Sequence, residues 1–148
     1  MRLKTKARLK SPWVLHYDCG SCNGCDIEIL AALTPKYDAE RLGIINIGDP
    51  KQADMLLVTG PANKRNHRVL RNLYDQMPEP KVVVVVGTCG CTGGVFRSCP
   101  NVLGGIDKVI PVDVYVAGCA ARPEQIIDGI LLALEKLKEK SEAMEEER

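Results

Sequence analysis

Lys81-Val82-Val83-Val84-Val85-Val86-Gly87-Thr88-Cys89 is the stretch that decides the fold. Five consecutive valines show no alternation of apolar and polar positions. Such a run presents apolar side chains on both faces, as in a strand of a parallel sheet covered on both sides. Gly87 closes the run, and a cysteine follows two residues later.

Working outward, Asp54–Thr59 reads as a second strand of this kind, ended by Gly60-Pro61, and Val112–Val116 as a third. Trp13–Tyr17 and Gly43–Ile47 read as two further short strands. Helical spacings fall between them. Asp26–Leu33 carries Ile27, Leu30 and Ala31 and stops before Pro35. Asn63–Gln76 predicts a helix with its apolar face at Val69, Leu70 and Leu73, ended by Met77-Pro78-Glu79-Pro80. Pro123 suits the first turn of a final helix running to about Lys140. Strands alternating with helices predict an α/β domain with a mostly parallel sheet and flanking helices. No Gly-x-Gly-x-x-Gly follows the first strand, which disfavours a dinucleotide site.

The chain has 148 residues, a net charge of +1 and a 26% charged fraction. That length fits one domain with a real core. The balance of charge argues against a nucleic-acid binder and against a wholly disordered chain. The basic start (Arg2, Lys4, Lys6, Arg8, Lys10) has no apolar segment behind it, so no secretory signal is expected. No run approaches the roughly 18 to 20 apolar residues that span a bilayer. The expectation is an intracellular chain in three parts. Residues 1–10 form a basic arm, solvated and mobile or a docking arm for an acidic or anionic surface. Residues 11–140 form the domain, and residues 141–148 form an acidic tail at the frayed end of the last helix.

Seven cysteines is an odd number, so complete internal pairing is impossible. In a reducing compartment clustered cysteines more often bind metal or do redox work. Most lie just past strand ends: Cys19, Cys22 and Cys25 after the first strand, Cys89 and Cys91 after the valine run, Cys119 after Val112–Val116. In an open parallel sheet the carboxyl ends of the strands share one edge, where ligands bind. Cysteines remote in sequence therefore converge there. Glycines accompany them (Gly20, Gly24, Gly87, Gly90, Gly118), which lets backbone N–H groups approach a bulky anionic ligand. A cubane cluster needs four thiolates. Cys22, Cys25 and Cys119 are the first three candidates, Cys89 is the fourth, and Cys91 is its rival. Cys19 and Cys99 read as packed or free thiols. Cys-x2-Cys followed by two separated cysteines is unlike a zinc ribbon, which would carry a second close pair.

Cys22-Asn23-Gly24-Cys25-Asp26-Ile27-Glu28, with Val86-Gly87-Thr88-Cys89 and Val112-Asp113-Val114-Tyr115-Val116-Ala117-Gly118-Cys119, resembles the small subunit of energy-converting, membrane-bound nickel–iron hydrogenases. The same family includes the 20 kDa-type subunit of respiratory complex I, whose first motif usually has adjacent cysteines. The separation of Cys22 from Cys25 favours the hydrogenase type. The resemblance covers roughly residues 11 to 137 and implies a flavodoxin-like domain with one 4Fe–4S cluster. It puts the cluster ligands on Cys22, Cys25, Cys89 and Cys119, and suggests Glu28 as a carboxylate that relays protons. The implied partners are a large subunit holding the nickel–iron centre, a ferredoxin-like iron–sulfur subunit and integral membrane subunits. The chain would then sit at the inner face of the membrane through those partners. Gly118-Cys119-Ala120-Ala121 departs from the Gly-Cys-Pro-Pro usual in the family. Two other classes compete: a complex-I-like quinone oxidoreductase subunit, and a free-standing zinc or thiol-redox protein.

Overall fold

The structure is a computed structural model that describes residues 3–146. Met1 and Arg2 of the basic arm and Glu147 and Arg148 of the acidic tail lie outside the described residues. The elements run α1 (Leu3–Lys10), β1 (Trp13–Asp18), α2 (Gly24–Leu33), β2 (Ile45–Asn46), β3 (Met55–Thr59), β4 (Ala62–Asn63) and α3 (His67–Gln76). They continue with β5 (Val82–Val86), α4 (Thr88–Thr92), β6 (Val102–Gly104), β7 (Val114–Val116) and α5 (Pro123–Glu146).

Five strands form one parallel sheet in the order β2-β1-β3-β5-β7. Counting only these strands, the order is 2-1-3-4-5, the doubly wound arrangement of flavodoxin-like folds. Its switch point lies between β1 and β3, the place where such sheets open a crevice at their carboxyl edge. β4 and β6 pair antiparallel in a small second sheet.

The valine run behaves as its sequence demands. Val82, Val84 and Val86 enter one core with Ile29 of α2, Ile126, Ile130 and Leu137 of α5, and Leu9 of α1. Val83 and Val85 point the other way, into a core with Leu70 of α3, Met77, Ile106 and Ile110. Each valine withdrawn from water contributes on the order of 1.5–3 kcal/mol. The three-layer architecture follows, with α1, α2 and α5 on one face and α3 and α4 on the other.

Boundaries shift where tertiary bonds override local pattern. The described part of the basic arm, Leu3–Lys10, forms the helix α1. Arg8 Nε lies 3.1 Å from Asp54 Oδ1, and Thr5 Oγ1 donates to Glu145 Oε1 at 2.8 Å. The second bond also holds the tail, so α5 runs past Lys140 to Glu146. α3 starts at His67, because Ala62 and Asn63 are drawn into pairing with β6. Leu70 is buried and Leu73 packs on the second core, but Val69 faces solvent. The α3 carbonyls of Tyr74 and Met77 are capped by the buried Lys81 Nζ at 2.8 and 3.1 Å. Among the described residues no helix is long and apolar enough to cross a membrane.

Candidate metal centre

Four chain segments meet at the carboxyl edge of the sheet. The β1–α2 loop brings Cys22 and the first turn of α2 brings Cys25, Gly60 follows β3, α4 opens after β5 with Cys89, and the β7–α5 loop brings Cys119. These residues, with Ser21, Gly24, Val86, Thr88, Gly118 and Ala120, line one recess of about 270 Å³. Thr88 N donates to Gly118 O at 2.8 Å, which clamps the Cys89 segment to the Cys119 loop. The sheet ladder continues one step beyond β5 through Gly87 N donating to Val116 O at 2.8 Å.

Gly87 is where close approach decides the residue type. Its φ is +92°, and a Cβ there would lie 2.5 Å from Cys25 Sγ. Any side chain would displace that thiol. Gly60 plays the same part below the first loop, where a Cβ would lie 2.5 Å from Ser21 N.

The thiols sense one another. Burial pushes the Cys25 thiol above its ordinary value; the Ala121 backbone N–H opposes this, and Asp26, Cys22 and Cys89 add to it. Burial also raises Cys89, helped by the charges of Cys119 and Cys22. Cys25 and Cys89, raised in part by the charges of neighbouring cysteines, suit a multivalent cationic group that would hold them as thiolates. Among the described residues no three His, Cys, Asp or Glu side chains converge tightly enough to hold a single metal ion. The donor set, four soft sulfurs spread around a wider recess with glycine-rich walls, fits a polynuclear iron–sulfur group.

The other cysteines lie off the recess wall, although burial, with the charges of Cys25 and Cys89, raises the Cys91 thiol. Cys91 packs against the second core beside Val83 and Val85 and does not line the recess. Cys19 is fully buried in that same core, and desolvation pushes its thiol up to about 11. Cys99 is exposed in the segment between α4 and β6. Glu28 is half-buried on α2, three residues past Cys25, and is not part of the recess wall.

One cluster of residues escapes the sequence reading. His16 Nε2 lies 2.8 Å from Asp26 Oδ1, Thr59 Oγ1 donates to the same oxygen at 2.6 Å, and Ser21 Oγ donates to Asp26 Oδ2. Burial raises the Asp26 carboxyl, but its donors Ser21, Thr59 and His16 outweigh this and hold it below the ordinary value. The signal in sequence was a polar residue inside β1, His16, and one at the end of the apolar β3, Thr59. Its partner could not be read from spacing.

The family model of the NADH ubiquinone oxidoreductase 20 kDa subunit matches residues 22–133. The chain is 53% identical over 128 residues to the probable membrane-bound hydrogenase subunit mbhJ of Pyrococcus furiosus, covering 86% of this chain and 77% of that one. It is 48% identical to an NADH-quinone oxidoreductase subunit of Flavobacterium johnsoniae, over 91% of this chain and 72% of the other. Among solved structures it resembles a chain of the membrane-bound sulfane sulfur reductase, an archaeal respiratory membrane complex. That match has a TM-score of 0.80 and 38% identity, and covers 93% of this chain and 76% of that one. The chain belongs to the family of the 20 kDa subunit of NADH–ubiquinone oxidoreductase and is, as such, an oxidoreductase subunit.

Proposed function

We propose that this chain is the electron-transfer small subunit of a membrane-bound nickel–iron hydrogenase, carrying one 4Fe–4S cluster on Cys22, Cys25, Cys89 and Cys119. The observation that carries the reading is the convergence of these four cysteines, from three strand ends, on one recess. When bound, such a group supplies one-electron transfer. The chain's own residues hold it: four sulfurs as ligands, and the Ala121 backbone N–H toward Cys25 as a tuning donor. The nickel–iron centre would lie in a large subunit, with a ferredoxin-like subunit on the other side of the electron path. Integral membrane subunits would attach the chain peripherally to the inner face of the cell membrane.

Glu28 is proposed as a proton carrier toward the partner's reacting centre. Its half-buried place on the first helix after the recess keeps it near the surface that a partner would cover. Glu28→Gln in the assembled complex is expected to lower hydrogen evolution while leaving the cluster signal unchanged; an unaltered rate removes the role.

The primary test is anaerobic reconstitution of the full chain with iron and sulfide. About four of each per chain and a reduced low-temperature EPR signal are expected for a single cubane. Cys22→Ala or Cys119→Ala is expected to abolish both, and an unchanged spectrum sinks the assignment. A second reading, a subunit of a quinone or sulfur reductase, is favoured by the Flavobacterium relative and by the sulfane sulfur reductase match. Nickel in the purified complex, with hydrogen evolution, separates the two.

A further inference from the structure

The loop bearing Cys22 and Cys25 is fastened from below on several sides. Cys19 N donates to Thr59 O at 2.9 Å, and Cys19 O accepts from Asn63 Nδ2 at 2.5 Å. Gly20 N and Ser21 N both donate to Asp18 Oδ1, at 2.7 and 2.5 Å. Asn23 N donates to Ser21 Oγ at 3.0 Å, and Ser21 Oγ in turn donates to Asp26. Asp26 is thus the residue on which three elements close. It sits in the first turn of α2, next to Cys25, and collects donors from β1 (His16), from the loop (Ser21) and from β3 (Thr59).

Two consequences follow from a carboxylate in that place. First, it fixes the loop's approach to the sheet at the switch point, so both thiols are aimed before any ligand arrives. Second, it is a negative group beside the recess, whose own wall carries no lysine or arginine. A fixed negative charge close to a redox group disfavours adding an electron to it. Burial strengthens the effect, because Asp26 is only 9% exposed.

We propose that Asp26 is the positioning residue for the Cys22–Cys25 pair, and that its charge holds the group bound there at a low reduction potential. The second half rests on the cluster reading above; the first half does not. A low potential suits exchange with a low-potential electron carrier of the ferredoxin class.

The test uses the full chain in two forms. In the metal-free chain, the rates of alkylation of Cys22 and Cys25 by iodoacetamide are compared with that of the exposed Cys99 as internal reference. Asp26→Ala is expected to accelerate Cys22 and Cys25 about tenfold relative to Cys99. Ser21→Ala, which removes one donor and leaves the sheet untouched, is expected to give a smaller acceleration at the same two thiols. Wild-type ratios in both variants overturn the positioning role. In the reconstituted chain at one fixed pH, Asp26→Asn keeps the size of the side chain, and its hydroxyl partners can rotate to suit the amide. It is expected to bind wild-type amounts of iron and sulfide. Its ratio of reduced to oxidised form at a given poise is expected to rise about tenfold, an upward shift of about 59 mV for a one-electron couple. An unchanged or lowered potential overturns the charge role. If the wild-type chain takes up no cluster, the cluster reading and the charge role fall together, and the alkylation rates still decide the positioning role.

Discussion

Cys89 and Cys91 lie two positions apart on α4, and two positions on a helix are separated by roughly 200°. They cannot face the same side. Cys89 turns to the recess, and Cys91 turns to the core beneath the other face of the sheet. Cys91→Ser is therefore expected to retain full iron content and to lose about 1 kcal/mol of stability from its half-buried hydroxyl. Cys89→Ser is expected to lose the cluster. Iron per chain and urea midpoints of the two variants check both statements. Cys19 offers a pH test. Its thiol is raised from 9.0 to about 11 by burial. The unfolded chain releases that proton first, so the protonated thiol favours the fold below pH 9 and loses this contribution as the pH rises through about 11. Denaturant midpoints at pH 8 and pH 10 are expected to fall further in the wild type than in Cys19→Ala. At this scale the sequence was informative about which cysteines sit at strand ends. It was silent on Asp26, because a carboxylate's donors from β1 and β3 are fixed by sheet register and not by any local spacing.

Elements were legible in proportion to their burial. The runs Met55–Thr59 and Val82–Val86 stand out because every residue in them is buried. α1 was hidden by its composition, since one leucine, Leu9, packs on the core and side-chain bonds such as Arg8–Asp54 and Thr5–Glu145 add to its hold. α4 reads as loop because Gly90 occupies its centre and it spans only Thr88–Thr92. β4 and β6 are too short to show a period. The seat of α5 on the sheet was also beyond reach of pattern. A Cβ at Gly129 would lie 2.3 Å from Val116 Cγ2, so helix and strand approach as closely as a glycine allows. Gly129→Ala gains helix propensity yet is expected to destabilise the fold by about 1–3 kcal/mol through overpacking. A thermal melt several degrees below the wild type checks this, at about 2–4 °C per kcal/mol for a domain of this size.

For the whole molecule, some of the exposed apolar side chains lie close to the recess. Ile27 and Leu30 on α2 are 63% and 55% exposed, and Val95, just after α4, is 83% exposed. The first pair lies within five residues of Cys25 and the last within six of Cys89. Exposed aliphatic side chains this close to the cysteine recess suit a covered face in an assembly. Ile27→Lys with Leu30→Lys is expected to leave the melting temperature of the isolated chain within a degree or two. It is also expected to reduce recovery of the chain in the membrane complex by tenfold or more, read by co-purification. Cluster binding should also raise the melting temperature, because the four thiols converge only in the folded chain. Chelation of iron is expected to reverse that gain.

The recess is not enclosed. Cys22 and Cys119 are exposed, while Cys25 and Cys89 are half-buried. This chain therefore shields only one side of whatever it holds. Under the proposed function, a preassembled cluster would enter after the domain has folded, with no need to reopen the core. Dioxygen and chelators would share that opening until another subunit covered it. The open side would then favour one order of biogenesis: fold, load, then dock. A chain that docks empty would be sealed against its own cofactor, and a loaded chain left waiting would age at the rate at which oxidants find that opening.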